Sequence, residues 1–118
     1  MRKLDIGSNR YTEVIVVDDR AFNANHEYYL GRSDDATPMG EFGRIQFQKG
    51  PVKEYDVNGC HNEDLLVIVL DRLFSFQNSE FNCIENATAI GKIEEALYWL
   101  NLRTEDRILR GVEGKNIK

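Results

Sequence analysis

The sequence lacks any long apolar run. Its two longest are Val14 to Val17 and Leu65 to Leu70, of four and six residues. A helix that crosses a bilayer needs about 20 mostly apolar residues, so the sequence predicts no membrane-spanning helix. Arg2 and Lys3 stand near the start, but no apolar stretch follows them. We therefore expect no secretory signal.

Basic residues are also scarce. Fifteen Lys and Arg face twenty Asp and Glu, which gives a net charge of −5. Proteins that bind long DNA or RNA need a broad basic surface, so this balance argues against a polymeric nucleic acid as partner. A small phosphorylated ligand needs only two or three local cations and is not excluded. The length of 118 residues fits one compact domain.

Cysteine and histidine occur only twice each. In a reducing cytosol, Cys60 and Cys83 are better explained as small buried thiols than as a bridge. His26 and His61 show no metal-ligand spacing. The adjacent pair Cys60-His61 is a weak nucleophile signature, because neighbouring side chains need not face each other. The sequence thus predicts neither a metal site nor a catalytic residue.

The first half has strand-like patterns. The segment from Phe42 to Gln48 alternates most clearly, since Ile45 and Phe47 fall on the face opposite its polar residues. Two further strands are predicted at Thr12 to Val17 and Glu27 to Leu30, with a turn at Asn23 to Asn25. We expect residues 1–59 to form a small antiparallel β-sheet.

The second half changes to helical spacing after a turn at Val57 to Gly59. The first predicted helix begins at Asn62 as N-cap and ends near Gln77. The second runs from about Asn82, in a capping box with Glu85, to Arg110, where Gly111 stops it. The short link predicts an antiparallel hairpin over residues 60–114, followed by a tail over 115–118. The fold class is α+β.

The second predicted helix is about ten residues longer than the first. Its overhang begins near Trp99, and Tyr98 and Leu102 add further apolar surface. A partner subunit is the natural cover for such a surface. Gly91 lies inside the same helix, where glycine costs about 1 kcal/mol relative to alanine, and we interpret it as a site of close helix approach.

Three arginines, Arg103, Arg107 and Arg110, share one face near the end of that helix. They form either a solvated face with ion pairs to Glu105 and Asp106, which composition alone favours, or an anion site. In the second interpretation Arg107 and Arg110 bind phosphate, while Arg103 stacks on a base.

Phe76 and Asn86 can be neighbours across the link, and a ring beside an amide is suited to reading a purine. Phe76 also continues an apolar stripe, so a core role is its stronger alternative. Asn86 is harder to dismiss, because amides are poor helix-interior residues. From Asn86 to Arg103 the chain advances 17 residues, or roughly 25 Å along a helix. If both contact one small ligand, they belong to different subunits.

A series of short motifs runs between residues 42 and 114. It comprises Phe47-Gln48-Lys49-Gly50-Pro51, Val57-Asn58-Gly59, Asn62-Glu63, Asp71-Arg72-Leu73, Phe76-Gln77, Cys83, Glu85-Asn86-Ala87, Glu94-Glu95-Ala96-Leu97, Leu100-Asn101-Leu102-Arg103-Thr104, Asp106-Arg107 and Arg110-Gly111-Val112-Glu113-Gly114. This ordered series resembles the phage anti-Thoeris sponge proteins, whose hairpin is similar to that of phage anti-CBASS sponges.

The resemblance implies a protein that is not an enzyme and needs no cofactor or metal. It would bind and hide glycocyclic ADP-ribose in the host bacterial cytoplasm, as a homodimer or as a hexamer built from three dimers. Some members also hold cyclic di- or trinucleotides at separate sites. Carried across by position, Phe76 and Arg103 would sandwich the adenine and Asn86 would fix its polar edge. We assign the pyrophosphate to Lys49 or Arg44 on the adjoining strand.

Two other functions stay open. One is a phage enzyme that hydrolyses such cyclic nucleotides, using His61 or the pair Glu94-Glu95. The other is a structural hairpin that binds proteins, in which the arginines are only a solvated face. Sequestration needs tight binding and slow release rather than stabilisation of a transition state.

Overall fold

The computed structural model describes residues 1–6 and 10–118. They form two compact units, Met1–Cys60 and His61–Lys118. All the strands lie in the first unit and both long helices in the second, so the predicted α+β class is confirmed. The division falls next to the predicted border at residue 59. That the chain acts as one compact domain stays a prediction.

The first unit contains a four-stranded antiparallel sheet with the strand order β1-β2-β3-β4. Its strands are β1 Arg2–Lys3, β2 Thr12–Val16, β3 Glu27–Arg32 and β4 Glu41–Gln46. The three strands predicted from the sequence are present with ends shifted by one or two residues. Strand β1 was not predicted, because two residues are too few to show a period.

The turn between β2 and β3 contacts a buried histidine. Phe22 and Asn23 have positive φ angles of 47° and 73°, while Ala21 and Ala24 exchange backbone hydrogen bonds of 2.9 and 3.1 Å. The turn therefore lies one residue earlier than predicted. His26 is buried and its Nε2 lies 2.6 Å from the Ala21 carbonyl oxygen. His26 therefore has a structural role in this turn.

The second unit is built from α2 (Asn62–Gln77) and α3 (Ile84–Leu109). A four-residue helix in the first unit, α1 (Val52–Tyr55), was not predicted. Helix α2 ends at the predicted residue. Helix α3, at 26 residues against 16 in α2, is ten residues longer, as expected.

The predicted N-caps of both long helices were wrong by one residue. The cap of α2 is His61, whose backbone N–H donates to the Asp64 carboxylate at 2.8 Å. The cap of α3 is Cys83, whose Sγ accepts from the Asn86 N–H at 3.4 Å. Asn82 lies one residue before this cap, and its amide N–H donates to the Ser79 carbonyl at 2.9 Å.

The predicted stop of α3 at Gly111 is confirmed. Gly111 has a φ of 73°, a backbone conformation that residues other than glycine rarely adopt. Its N–H donates to the Ile108 carbonyl and the Val112 N–H donates to the Arg107 carbonyl, both at 3.0 Å. These two bonds define a Schellman motif, which satisfies carbonyls that the helix leaves unpaired.

The hairpin buries few of its apolar side chains. Helix α2 contains no buried residue and α3 only one, Ile90. On the overhang, Tyr98 is 59% and Trp99 62% exposed. A Cβ placed on Gly91 would have no atom within 4 Å, apart from its chain neighbours and the nearby backbone of α3 itself. The predicted close helix approach at Gly91 was therefore wrong within one protomer. No helix in the described ranges is long and apolar enough to cross a membrane.

Candidate functional site

An open groove lies where α2 runs into the link to α3. Its volume is about 590 Å³, within the range of small-ligand sites. Its walls combine two rings, two hydroxyls, a cation, a carboxylate and an aliphatic chain, contributed by Ile68, Asp71, Arg72, Ser75, Phe76, Ser79 and Phe81. Rings that can stack beside a cation suit a ligand with a planar base and negative charge.

Phe76 forms part of the groove wall. Its side chain is 40% exposed, so it is not in a core. The guanidinium carbon of Arg72, one helical turn earlier, lies 5.1 Å from the centre of the Phe76 ring. Phe81 of the link is 68% exposed in the same groove. The structure thus places a partly exposed ring, with a guanidinium over it, at the position where the sequence predicted a base-stacking residue, and the stacking role stays a prediction.

Side-chain hydrogen bonds hold the link between the helices. The Gln77 amide donates to the Cys83 carbonyl and accepts from the Cys83 N–H, each at 3.2 Å. The Ser79 hydroxyl donates to the Phe76 carbonyl at 2.6 Å and accepts from the Phe81 N–H at 3.1 Å. Sequence analysis missed both roles. Amides and hydroxyls around a helix end are the signal, because they substitute for backbone partners.

We expect Gln77→Ala to loosen the hairpin, because it removes both bonds that join the end of α2 to Cys83. The free energy of unfolding should fall by about 1–2 kcal/mol in urea denaturation. Gln46→Ala is a matched control, since Gln46 is exposed and makes one side-chain bond, to the Asn58 carbonyl in the other unit. Equal effects of the two substitutions would contradict the role of Gln77.

Asn86 and Arg103 lie on one uninterrupted helix. Asn86 is the third residue of α3, half-buried, with its backbone bonded to the cap residue. Its side-chain amide has no hydrogen-bond partner among the described residues, and it does not line the groove. Because α3 is continuous over both residues, the estimate of roughly 25 Å between them holds. One protomer therefore does not bring Asn86 and Arg103 together.

The three arginines of α3 have different surroundings. Arg103 is exposed, and within the described ranges no acceptor or carboxylate pairs with it. Arg107 donates to the carbonyls of Val112, Lys115 and Ile117 at 3.0, 2.9 and 2.7 Å. Arg110 bonds the Asp106 carboxylate at 3.0 Å and the Lys118 carbonyl at 2.9 Å. Arg107 and Arg110 thus hold the tail, and their phosphate role stays a prediction.

The two predicted pyrophosphate residues also differ. Arg44 on β4 pairs with the Glu41 carboxylate at 2.7 Å and lies 5.8 Å from the Tyr29 ring centre. Lys49 is exposed, and the Asn58 amide bonds both its N–H and its carbonyl at 2.8 Å. No carboxylate in the described part of the chain pairs with the Lys49 ammonium. Of these two residues, Lys49 is the one whose charged group is not paired with a carboxylate of the described residues.

Across 1–6 and 10–118, no group of three or more His, Cys, Asp or Glu side chains is placed to hold a metal ion. His61 Nδ1 lies 4.0 Å from the Asp64 carboxylate at the start of α2. Cys60 and Cys83 are free thiols, and Cys83 Sγ accepts the cap bond of α3.

A sheet followed by a helical hairpin, with a groove at the hairpin link, defines a small α+β protein whose hairpin carries the candidate site. Residues 39–105 match the family described as "Acb2/Tad1, hairpin domain". The chain belongs to this family, which confirms the resemblance seen in its motifs. It is also 58% identical over 79 residues to "Thoeris anti-defense 1" of Bacillus phage SBSphiJ7. That match covers 67% of this chain and 56% of the relative, so the chain spans little more than half of that protein.

Proposed function

We propose that this protein is a phage anti-defence sponge, which binds cyclic nucleotide immune signals in the host cytoplasm without cleaving them. The favoured ligand is a glycocyclic ADP-ribose, and cyclic di- and trinucleotides are further candidates. The proposal is supported by membership of the hairpin family and by the name of the phage relative. The groove adds physical support, since its ring and cation match a base that carries phosphates.

One observation supports the proposal most directly: an exposed ring and an arginine with no partner in the described residues lie far apart on one hairpin. Phe76 lines the groove near the link, whereas Arg103 lies some 25 Å along α3 from the link end. Two copies of the chain can bring Phe76 of one and Arg103 of the other to opposite faces of one base. The exposed overhang with Tyr98 and Trp99 offers the apolar surface for such a pairing.

The required affinity is within reach of this arrangement. A sponge that works at low signal concentration needs a Kd near 10 nM, which is roughly 11 kcal/mol. Stacking on aromatic side chains contributes about 1–3 kcal/mol per base. Charge-assisted hydrogen bonds from arginine to phosphate add roughly 1.5–3 kcal/mol each when they are shielded from water. Enclosure between two subunits provides that shielding.

The test separates holding a ligand from transforming it. Purified protein is mixed with excess cyclic ADP-ribose isomers and cyclic oligonucleotides, washed, heated to unfold it, and the released material is analysed by chromatography and mass spectrometry. We expect one nucleotide per site, chemically unaltered. A linear or hydrolysed product in excess of the protein would indicate an enzyme. Absence of binding by calorimetry to every one of these nucleotides would indicate a structural hairpin.

A further inference from the structure

Arg72 is a cation in the groove without a polar partner. Its guanidinium lies 5.1 Å from the Phe76 ring centre, and in the described part of the chain no carboxylate or carbonyl accepts a hydrogen bond from it. Asp71 is next in sequence and also lines the groove, yet it makes no ion pair with Arg72. Arg72 thus lines an open groove of about 590 Å³ with a guanidinium whose five N–H donors bond no acceptor in the described residues.

The Phe76 ring cannot hold the arginine and a nucleobase on the same face at once. A base that stacks there must take the place of the guanidinium, and a cation over an exposed ring is weakly held. The side chain of Arg72 has four flexible torsions, so it can move aside within the groove. Once displaced, its planar fork matches phosphate oxygens better than it matches a ring.

We propose that Arg72 is a further ligand-binding residue of this groove, which covers Phe76 when the site is empty and binds phosphate oxygens when a base stacks on the ring. The inference rests on the proposed function, and it adds the anion contact on the side of the groove formed by α2. The ligand class is a nucleotide whose phosphate lies within a side chain's reach of its stacked base. Ser75 and Ser79 line the same groove and offer hydroxyls to its sugar.

The experiment compares wild type, Arg72→Ala and Arg72→Lys by calorimetry with two kinds of probe, the glycocyclic ADP-ribose isomers and adenosine. Arg72→Ala should weaken the binding of glycocyclic ADP-ribose at least about tenfold, because the phosphate loses its hydrogen bonds to the guanidinium. Adenosine has no phosphate, so Arg72→Ala should change its affinity by less than about threefold. This range includes the small gain in affinity that we expect when the Phe76 ring is no longer covered by the guanidinium. The affinity of Arg72→Lys should lie between those of wild type and Arg72→Ala, because lysine keeps the charge but lacks the planar pair of donors.

Lys92→Ala is the matched control, since it removes one exposed cation from the same hairpin outside the groove. It should leave both affinities unchanged. If wild type binds glycocyclic ADP-ribose and Arg72→Ala binds it as tightly or more tightly, the inference is wrong and the proposed function stands. If Arg72→Ala weakens both probes equally, Arg72 supports the ring rather than phosphate and the inference is again wrong. If wild type binds neither probe nor any cyclic oligonucleotide, the proposed function fails and takes the inference with it.

Discussion

Subunits carrying Arg103→Ala and subunits carrying Phe76→Ala should each bind cyclic ADP-ribose poorly, and they should recover intact sites when they are co-expressed. In a mixed dimer, the wild-type Phe76 of one chain meets the wild-type Arg103 of the other. Random pairing gives about a quarter of all sites both residues. Those sites should show the wild-type Kd in calorimetry, with a stoichiometry near a quarter of wild type. A large gain from two defective chains is the strongest effect that a shared site predicts.

The single variants set the baseline for this experiment. Arg103→Ala should weaken binding at least about tenfold, or 1.4 kcal/mol, because it removes one face of the sandwich. Its assembly by light scattering should match wild type, since Arg103 is exposed and bonds nothing in the described residues. Phe76→Ala is usable because the ring is 40% exposed and leaves no sealed cavity. If one protomer held the whole site, co-expression would restore nothing.

Arg107→Ala should lower the free energy of unfolding. The guanidinium of Arg107 donates to the carbonyls of Val112, Lys115 and Ile117, which fold the segment after Gly111 back on α3. Removing three charge-assisted bonds at a partly exposed site should reduce the free energy of unfolding by about 2 kcal/mol. Urea denaturation measures this loss, and amide exchange at Lys115, whose N–H donates to the Val112 carbonyl, should quicken.

Arg103→Ala is the matched control for that measurement, because it removes the same side chain one turn earlier on α3. Its effect on stability should stay within about 0.5 kcal/mol, as for other exposed positions. Arg107→Lys should remain nearly as unstable as Arg107→Ala, since one ammonium cannot span three carbonyls. A variant at Arg107 with unchanged stability and about tenfold weaker ligand binding would instead support the phosphate role predicted from the sequence.

Periodic features of this chain were predictable from the sequence, whereas competition between side chains was not. The alternation around Ile45 and the helical spacing up to Gln77 depend on which face is buried, and a pattern of residue types records that directly. The cap at Cys83 could not be found this way, because asparagine is a better cap than cysteine in isolation. Only the structure shows that the Asn82 amide is already bonded to Ser79.

The same limit applies to the candidate site. The distance from Asn86 to Arg103 followed from counting residues, because α3 is regular throughout. The sequence places Arg103, Arg107 and Arg110 on one helical face and predicts phosphate binding for Arg107 and Arg110 and base stacking for Arg103. The structure separates them, as Arg107 and Arg110 bond tail carbonyls that no periodicity could reveal. The proposed role of Arg72 was not predicted, because a single cation beside the apolar stripe of α2 produces no periodic signal.

The continuity of α3 limits how this chain can change in evolution. A single residue inserted between Asn86 and Arg103 would rotate everything beyond it by about 100° and advance it by about 1.5 Å. In the proposed dimer the displacement would occur in both copies, so both shared sites would be lost together. Functional relatives should therefore differ by substitution along this helix and keep its length. Insertions and deletions should instead occur in segments such as 33–37, because a change of length there does not alter the spacing between Asn86 and Arg103.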